Sequence, residues 1–308
     1  MRSYLKNDHG LVPIEKWQPH CWINVESPTE DDKQYLLKEL QVPEAFIDDI
    51  ADVDERPRIE TDNGWYLIIL RLPHRTNDVK IPFSTVPLGV IFKDEVLVTV
   101  CFYNTQLIPD FIKYTQRKKL NSPDHFDLVL KLLLSSSVWF LKYLKRINQN
   151  IKLAEVELEK SIRNEDLQTL LQIEKSLVFF TTSLKGNDIL AHRIKNLKEY
   201  RGTFDADLFE DVEIELRQAL EMTNIYSDIL SGMMDAYASV ISNNLNVIMK
   251  QLTSISIILM IPTLVASFYG MNVPNSLENY KYGFWMVLLL SFMLSGIGVL
   301  VFRRRKWF

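Results

Sequence analysis

No Asp, Glu, Lys or Arg occurs from Gln251 to Leu277, and none from Tyr282 to Phe302. Each stretch exceeds the roughly 20 apolar residues a helix needs to cross a hydrocarbon core of about 30 Å. Two such runs in succession predict transmembrane helices near Leu252–Gly270 and Gly283–Phe302, because soluble domains rarely bury a neighbouring pair of uncharged spans. Charge divides the chain at the same place. Of 35 basic and 39 acidic residues, the last 58 positions hold five and one, so residues 1–250 carry −8 and the remainder +4.

Orientation follows from the flanks. The N-terminus, MRSYLKNDHG, has no apolar core of its own, so the large acidic portion is expected to stay in the cytosol. Arg303-Arg304-Arg305-Lys306 follows the second span directly, and the positive-inside rule places it on the cytoplasmic side. Both termini are then cytoplasmic, and only a short segment, Met271–Lys281, faces outside. The basic run serves either as a stop-transfer anchor or in ion control. Cys21 and Cys101 stand alone, as reduced cytosolic thiols do, with no spacing for zinc or a disulfide frame.

Residues 1–120 read as an α/β or α+β cytosolic domain whose sheet order the sequence does not reveal. Cys21–Val25, Tyr66–Leu72, Pro87–Phe92 and Val96–Phe102 are apolar runs of strand length. Thr29–Gln41 and Pro43–Asp52 read as helices, the second opening with proline in the first turn. Residues 121–206 follow the cap-like Ser122-Pro123 and read as a cytosolic helical hairpin region, with Gly186-Asn187 the expected break and Arg201-Gly202-Thr203 the next.

From Leu208 to Lys250 there is no Pro and a single Gly. Positions 208, 212, 215, 219, 222, 226, 229, 233, 236, 240, 243 and 247 alternate steps of four and three and are mostly apolar, which marks a packing seam. Nothing interrupts the pattern before Leu252. A stalk helix over 207–270, continuing into the first span at about 252–270, is therefore expected, some 90 Å long at 1.5 Å per residue. Residues 271–282 form the external loop, 283–302 the second span and 303–308 the basic tail.

A second series shares this spacing: Asp235, Ser239, Ser242, Asn246, Met249, Thr253, Ser256, Met260 and Thr263. Polar groups on a spanning helix need a partner or water, because lipid offers neither. Helix packing accommodates single Ser and Thr residues equally well. Nine positions in one register favour a water-filled path. Pro262, which removes the hydrogen bond to the Ile258 carbonyl, reads as a static bend.

The first span ends in Tyr269-Gly270-Met271-Asn272. Mg²⁺ holds its waters tightly, so an entry site gains by accepting hydrogen bonds from those waters instead of stripping them, and a ring of Asn carbonyl oxygens can do this. Gly-Met-Asn at this position, a second span close behind it, the tail Arg-Arg-Arg-Lys-Trp-Phe and a large acidic domain together resemble the CorA family of divalent-cation channels. Cys21–Val25, Arg56-Pro57-Arg58-Ile59-Glu60 and Glu174–Leu177 also look like family segments.

The resemblance implies a homopentameric funnel in the cell membrane, with the first span lining the pore. Gly270, Met271 and Asn272, supported by Tyr269, would form the selectivity ring. Asn246, Met249, Leu252, Ser256, Met260 and Thr263 match the pore-lining positions, with Met249, Leu252 and Met260 as a hydrophobic gate. Mg²⁺ would be both transported and regulatory, with no organic cofactor. Asp211 matches an intersubunit regulatory carboxylate, within the cluster Asp205, Asp207, Glu210, Asp211, Glu213 and Glu215, and Asp235 matches a ring near the inner mouth. Like charges would repel across subunit contacts until a divalent ion neutralised them. No acidic N-terminal partner for Asp211 stands out near Thr76–Asp78. The loop departs from the family's Met-Pro-Glu-Leu, reading Val273-Pro274-Asn275-Ser276-Leu277-Glu278, where Glu278 would supply the cation-concentrating charge.

Three functions remain open. One is passive Mg²⁺ influx, with Co²⁺ and Ni²⁺ as further cargo. A ZntB-like zinc transporter is the second, although such relatives usually alter the middle residue of the motif and Met271 is intact. The third is a membrane-anchored interaction protein that conducts nothing. His9, His20, His74, His125 and His192 form no ligand spacing and no nucleophile elbow appears, so an enzyme is not expected. The −8 portion disfavours nucleic acid as a partner.

Overall fold

The computed structural model describes residues 2–8, 10–76, 81–120, 124–160, 164–201, 205–272, 281–305 and 307. They form two compact units, Met1–Gly232 and Met233–Phe308. The first contains a seven-stranded sheet of β1 (Arg2–Asn7), β2 (Leu11–Ile14), β3 (Trp22–Glu26), β4 (Arg58–Asp62), β5 (Trp65–Arg75), β6 (Phe83–Lys93) and β7 (Val96–Cys101). Their order is β2-β1-β3-β7-β6-β5-β4. Only β3 and β7 pair in parallel; the other neighbours are antiparallel.

The central strands are buried along nearly their whole length because both faces are covered. Side chains alternate across a strand, so Trp65, Leu67 and Ile69 of β5 join one core with Phe46, Ile47 and Ile50 of α2 (Glu44–Ala51). Tyr66 points the other way, edge-on to Phe126 of α4 (His125–Lys160), and Phe83 of β6 meets Phe180 of α5 (Asn164–Arg201). Gly89 admits Ile50 so closely that a Cβ there would lie 2.1 Å from its Cδ1.

The helix expected over Thr29–Gln41 is α1 (Glu30–Gln34) followed by a π-helical turn, Tyr35–Glu39. A capping box between Thr29 and Asp32 starts it. Pro43 stands one position ahead of the first turn of α2, as its cap. Helix α3 (Leu107–Lys118) has no counterpart in the sequence reading and ends at Lys119 in the left-handed region.

The break expected at Gly186-Asn187 does not occur, since α5 runs through it. Gly186 is there for contact: a Cβ would lie 2.8 Å from Cγ of Pro57. Asn187, fully buried, uses its carboxamide as a substitute peptide. It accepts from the Arg71 amide at 2.9 Å and donates to the Arg71 carbonyl at 2.8 Å. Arg71 needs this partner because β4 pairs with β5 only as far as Arg58↔Ile69, which leaves the edge of β5 beyond it without a neighbouring strand.

Helices α4 and α5 are antiparallel. Phe140 packs on Phe180 at 4.9 Å, and the buried Lys198 ammonium near the end of α5 returns to Asp124 (3.2 Å) and Asp127 (2.5 Å) at the start of α4. Those carboxylates hold Lys198 above its ordinary pKa against the opposing effect of burial. Helix α6 spans Ala206–Tyr269 and α7 spans Gly283–Arg304. The start of α6 is fixed by Phe209, which meets His192 edge-on and lies under the Lys195 ammonium.

Candidate ion pathway

Helices α6 and α7 are both long and apolar enough to cross a membrane. Their contact is built from small residues. Gly283 and Ser291 of α7 are buried and Ser295 and Gly298 half-buried, and a Cβ on Gly298 would sit 3.4 Å from Ile261 Cδ1 and 3.7 Å from Ile258 Cγ1. Small residues let two spanning helices approach closely where no hydrophobic effect draws them together.

Pro262 lies inside α6 and leaves the Ile258 carbonyl without its helical donor. That carbonyl receives the Ser295 hydroxyl of α7 at 3.5 Å. The second span therefore supplies the hydrogen bond that proline removes, as a helix in hydrocarbon requires. Ser295 escaped the sequence reading, because its partner carbonyl is visible only once the two helices are paired.

The predicted path residues lie away from this contact. Ser254, Ile258, Ile261 and Val265 mark the buried or half-buried side of α6 in the span, with Pro262 and Tyr269 half-buried at its edge, whereas Asn246, Met249, Leu252, Thr253, Ser256, Met260 and Thr263 are all exposed. At 100° per residue the two sets are centred about 150° apart. Asp235, Ser239 and Ser242 carry the exposed series toward the start of the second unit. Ser267, the next step of four after Thr263, extends it, and the spacing alone would have found it. Ser256 and Thr263 return their hydroxyls to the carbonyls of Leu252 and Leu259, as serine and threonine do in spanning helices.

The helix closes at the Gly-Met-Asn motif. The Gly270 amide bonds to the Ala266 carbonyl at 2.9 Å, while the Met271 amide turns to Phe268 at 3.4 Å, tightening the last turn. Tyr269 is half-buried, and Gly270, Met271 and Asn272 are exposed at the end of α6. Glu278 and the rest of 273–280 lie outside the described residues, as do Asn77–Lys80 and Lys306. Arg303 and Arg304 form the last turn of α7, and Trp307 stacks on Phe302 at 5.4 Å.

The acidic cluster opens α6 in the first unit. Asp205 caps the helix through the Leu208 amide at 3.1 Å, and Glu213 pairs with Arg217. Asp207, Glu210 and Asp211 are exposed. Asp211 and Glu215 line a cleft of about 520 Å³ with Asp110, Lys131, Trp139 and Ile214. Burial lowers the Lys131 pKa, opposed by the charges of Asp127 and Asp205. Among the described residues no three His, Cys, Asp or Glu side chains are placed to hold a metal ion.

A mixed α/β domain with two apolar C-terminal helices, the first continuous with a long stalk, defines a class of two-span membrane transporter. Residues 17–304 match the family model described as CorA-like Mg2+ transporter protein, and the chain belongs to that family. It is 28% identical over 301 residues to the cobalt/magnesium transport protein CorA of Methanocaldococcus jannaschii, covering 93% of this chain and 90% of that one. The complete structure of the CorA magnesium transporter from the same organism superposes with a TM-score of 0.85 at 24% identity, covering 100% of this chain and 99% of that one. The ZntB cytoplasmic domain from Vibrio parahaemolyticus shares the fold over 79% of this chain and 97% of its own, with a TM-score of 0.59 at 14% identity. Family membership places the chain among divalent-cation transporters rather than enzymes.

Proposed function

We propose that this chain is a divalent-cation channel that admits Mg²⁺ down its electrochemical gradient, with Co²⁺ and Ni²⁺ as further cargo. The observation that carries the reading is the face of α6 from Asp235 to Thr263, which stays exposed while α7 occupies the opposite side. In a homopentamer, that face of each subunit would turn toward a shared axis. Asn246, Ser256 and Thr263 would offer polar contacts there, and Met249, Leu252 and Met260 would narrow it to a gate that closes by dewetting.

Gly270, Met271 and Asn272 would form the outer ring, with Tyr269 supporting it, and Glu278 would draw cations to the mouth. No energy source beyond the membrane potential is needed, since two charges crossing 100 mV gain about 4.6 kcal/mol. Cytosolic Mg²⁺ would act at Asp211 and Asp235. Among the described residues a single chain does not gather three ligands at either place, so an ion held there would take carboxylates from a neighbouring subunit. Both termini would face the cytoplasm.

The test is Mg²⁺ uptake into proteoliposomes under an inside-negative potential. Wild type should conduct, Asn272→Ala should lose most of the flux, and Mg²⁺ loaded on the cytoplasmic side should suppress it. No Mg²⁺ flux with Mg²⁺ supplied outside and the cytoplasmic side depleted sinks the reading. Zinc flux coupled to protons would then indicate a ZntB-like transporter, and no flux of any cation a non-conducting membrane-anchored protein.

A further inference from the structure

The inner end of the two spans, where α6 enters and α7 leaves, gathers cations and no anion. Ser295 meets Ile258 across the helix pair, and Lys250 and Arg303 each stand eight residues, about 12 Å, to the inner side of that contact. The two residues therefore lie at one level, with Arg304 and Arg305 a step beyond. All four are exposed, and among the described residues none of their side chains makes an ion pair or a hydrogen bond. The sequence has no Asp or Glu between Asp235 and Glu278 and none after it, so the nearest acid on α6 is fifteen residues, about 22 Å, from Lys250. Lys250 is turned about 50° from the α7 contact and about 100° from the path face, which puts it on the side of α6 that adjoins α7.

The arginines are not on a loose tail. Beyond α7 the chain turns back, with the Arg305 amide bonded to the Val301 carbonyl at 3.0 Å and the Trp307 amide to the Phe302 carbonyl at 3.1 Å. The Trp307 ring stacks on Phe302, and both are half-buried. Exposed Tyr282, Phe284 and Trp285 mark the other end of α7. Seventeen residues, about 26 Å, separate Trp285 from Phe302, close to the thickness of a hydrocarbon core. Aromatic rings at both ends of a span settle at headgroup depth, so the three guanidinium groups beside Trp307 stand in the phosphate layer. A stop-transfer anchor needs charge alone. Here four unpaired cations from two helices share one depth, and a ring stack holds three of them in place.

We propose that this inner end is a binding site for an anionic two-chain phospholipid, whose phosphate is held by Arg303, Arg304, Arg305 and Lys250. Its acyl chains would lie along the exposed apolar surface formed by Ile297, Leu300 and Val301 of α7. The inference rests on the two-span membrane placement and not on conduction. Guanidinium groups match phosphate oxygens two at a time, and the lysine adds a point charge. A zwitterionic lipid brings its own ammonium group, which the same four cations repel, so the site discriminates by net headgroup charge.

The experiment incubates the full chain in detergent with equal amounts of phosphatidylglycerol and phosphatidylcholine and counts the retained lipids by native mass spectrometry. Wild type should favour phosphatidylglycerol by more than about tenfold, and less as ionic strength rises. Each basic residue removed should weaken that preference about fivefold, in Lys250→Gln as in a tail variant carrying Arg303→Gln, Arg304→Gln and Arg305→Gln together. Phosphatidylcholine retention should not change. Trp307→Ala keeps every charge and should still weaken the preference, because the stack that fixes the tail on α7 is gone; should the tail variant fail to insert, this variant and Lys250→Gln decide.

Equal retention of the two lipids by wild type overturns the inference, as does a wild-type preference in either Lys250→Gln or the tail variant. If inorganic phosphate at the same concentration displaces phosphatidylglycerol, the site reads a free anion rather than a lipid and the inference also falls. Mg²⁺ flux tests the channel reading separately, since a chain that conducts nothing could still hold the lipid.

Discussion

Replacing Asn187 with Leu keeps the number and branching of the side-chain heavy atoms but removes the carboxamide that bonds both backbone groups of Arg71. The consequences for the two groups differ. The Arg71 carbonyl retains the Ser136 hydroxyl at 3.1 Å, so it loses one of two hydrogen bonds, which costs about 1 kcal/mol. The Arg71 amide has no alternative among the described residues, since β4 pairs with β5 only as far as Arg58↔Ile69 and Asn187 is fully buried. A buried orphan donor costs about 1–3 kcal/mol. The sum of about 2–4 kcal/mol lowers the melting temperature by about 3–6 °C in a chain of this size. Thermal unfolding of the full chain in detergent, compared with wild type at one scan rate because membrane proteins often unfold irreversibly, measures it. A shift under about 1 °C would mean that water or a strand shift replaces the carboxamide, and the account of why α5 runs unbroken past Gly186 would be wrong.

Lys198→Met leaves Asp127, which is 7% exposed, without its cation, and should destabilise by about 3–5 kcal/mol; a melting temperature equal to wild type would refute a paired, charged lysine at that site. Burial depresses the His74 pKa, so the unfolded chain binds the proton more readily than the folded one. Its contribution is fully present above about pH 6.5 and is lost as pH falls from there toward the folded pKa. The difference in melting temperature between wild type and His74→Phe should therefore change across that window and be flat above it. A difference independent of pH from 5 to 8 argues against a half-buried imidazole whose pKa folding depresses.

Much of the architecture was legible because it is set by patterns of fixed period or by long uncharged runs. β5 and β6 announce themselves as continuous apolar stretches, and both spans by the absence of charge. The short strands β1 and β2 did not: β1 mixes Arg, Ser, Lys and Asn with Tyr4 and Leu5, β2 is only four residues long with Pro13 among them, and their pairing depends on tertiary register. Helix α3 was hidden by a Pro inside it and a polar second half. Gly186 misled because a glycine that permits close approach to Pro57 looks, in sequence, like one that ends a helix. The exposed face of α6 is legible in the sequence to its last turn, where Ser267 stands one step of four beyond Thr263.

The stalk shows where periodicity stops short of a unique answer. The predicted seam and the buried residues of α6 share Val212, Ala219 and Tyr226. Between them the first unit buries Phe209, Leu216, Thr223 and Leu230, each one position beyond the predicted Leu208, Glu215, Met222 and Ile229. Both columns are largely apolar, and adjacent helical positions lie only 100° apart, so the sequence encodes a stripe wider than one partner needs. The chain fills one column itself. In the other, Leu208 and Met222 are half-buried and Ile229 is 48% exposed, next to Ile225 at 49%. An apolar column left unfilled on the stalk is the surface it needs if copies of this helix are to meet around an axis, which is the arrangement the proposed channel requires.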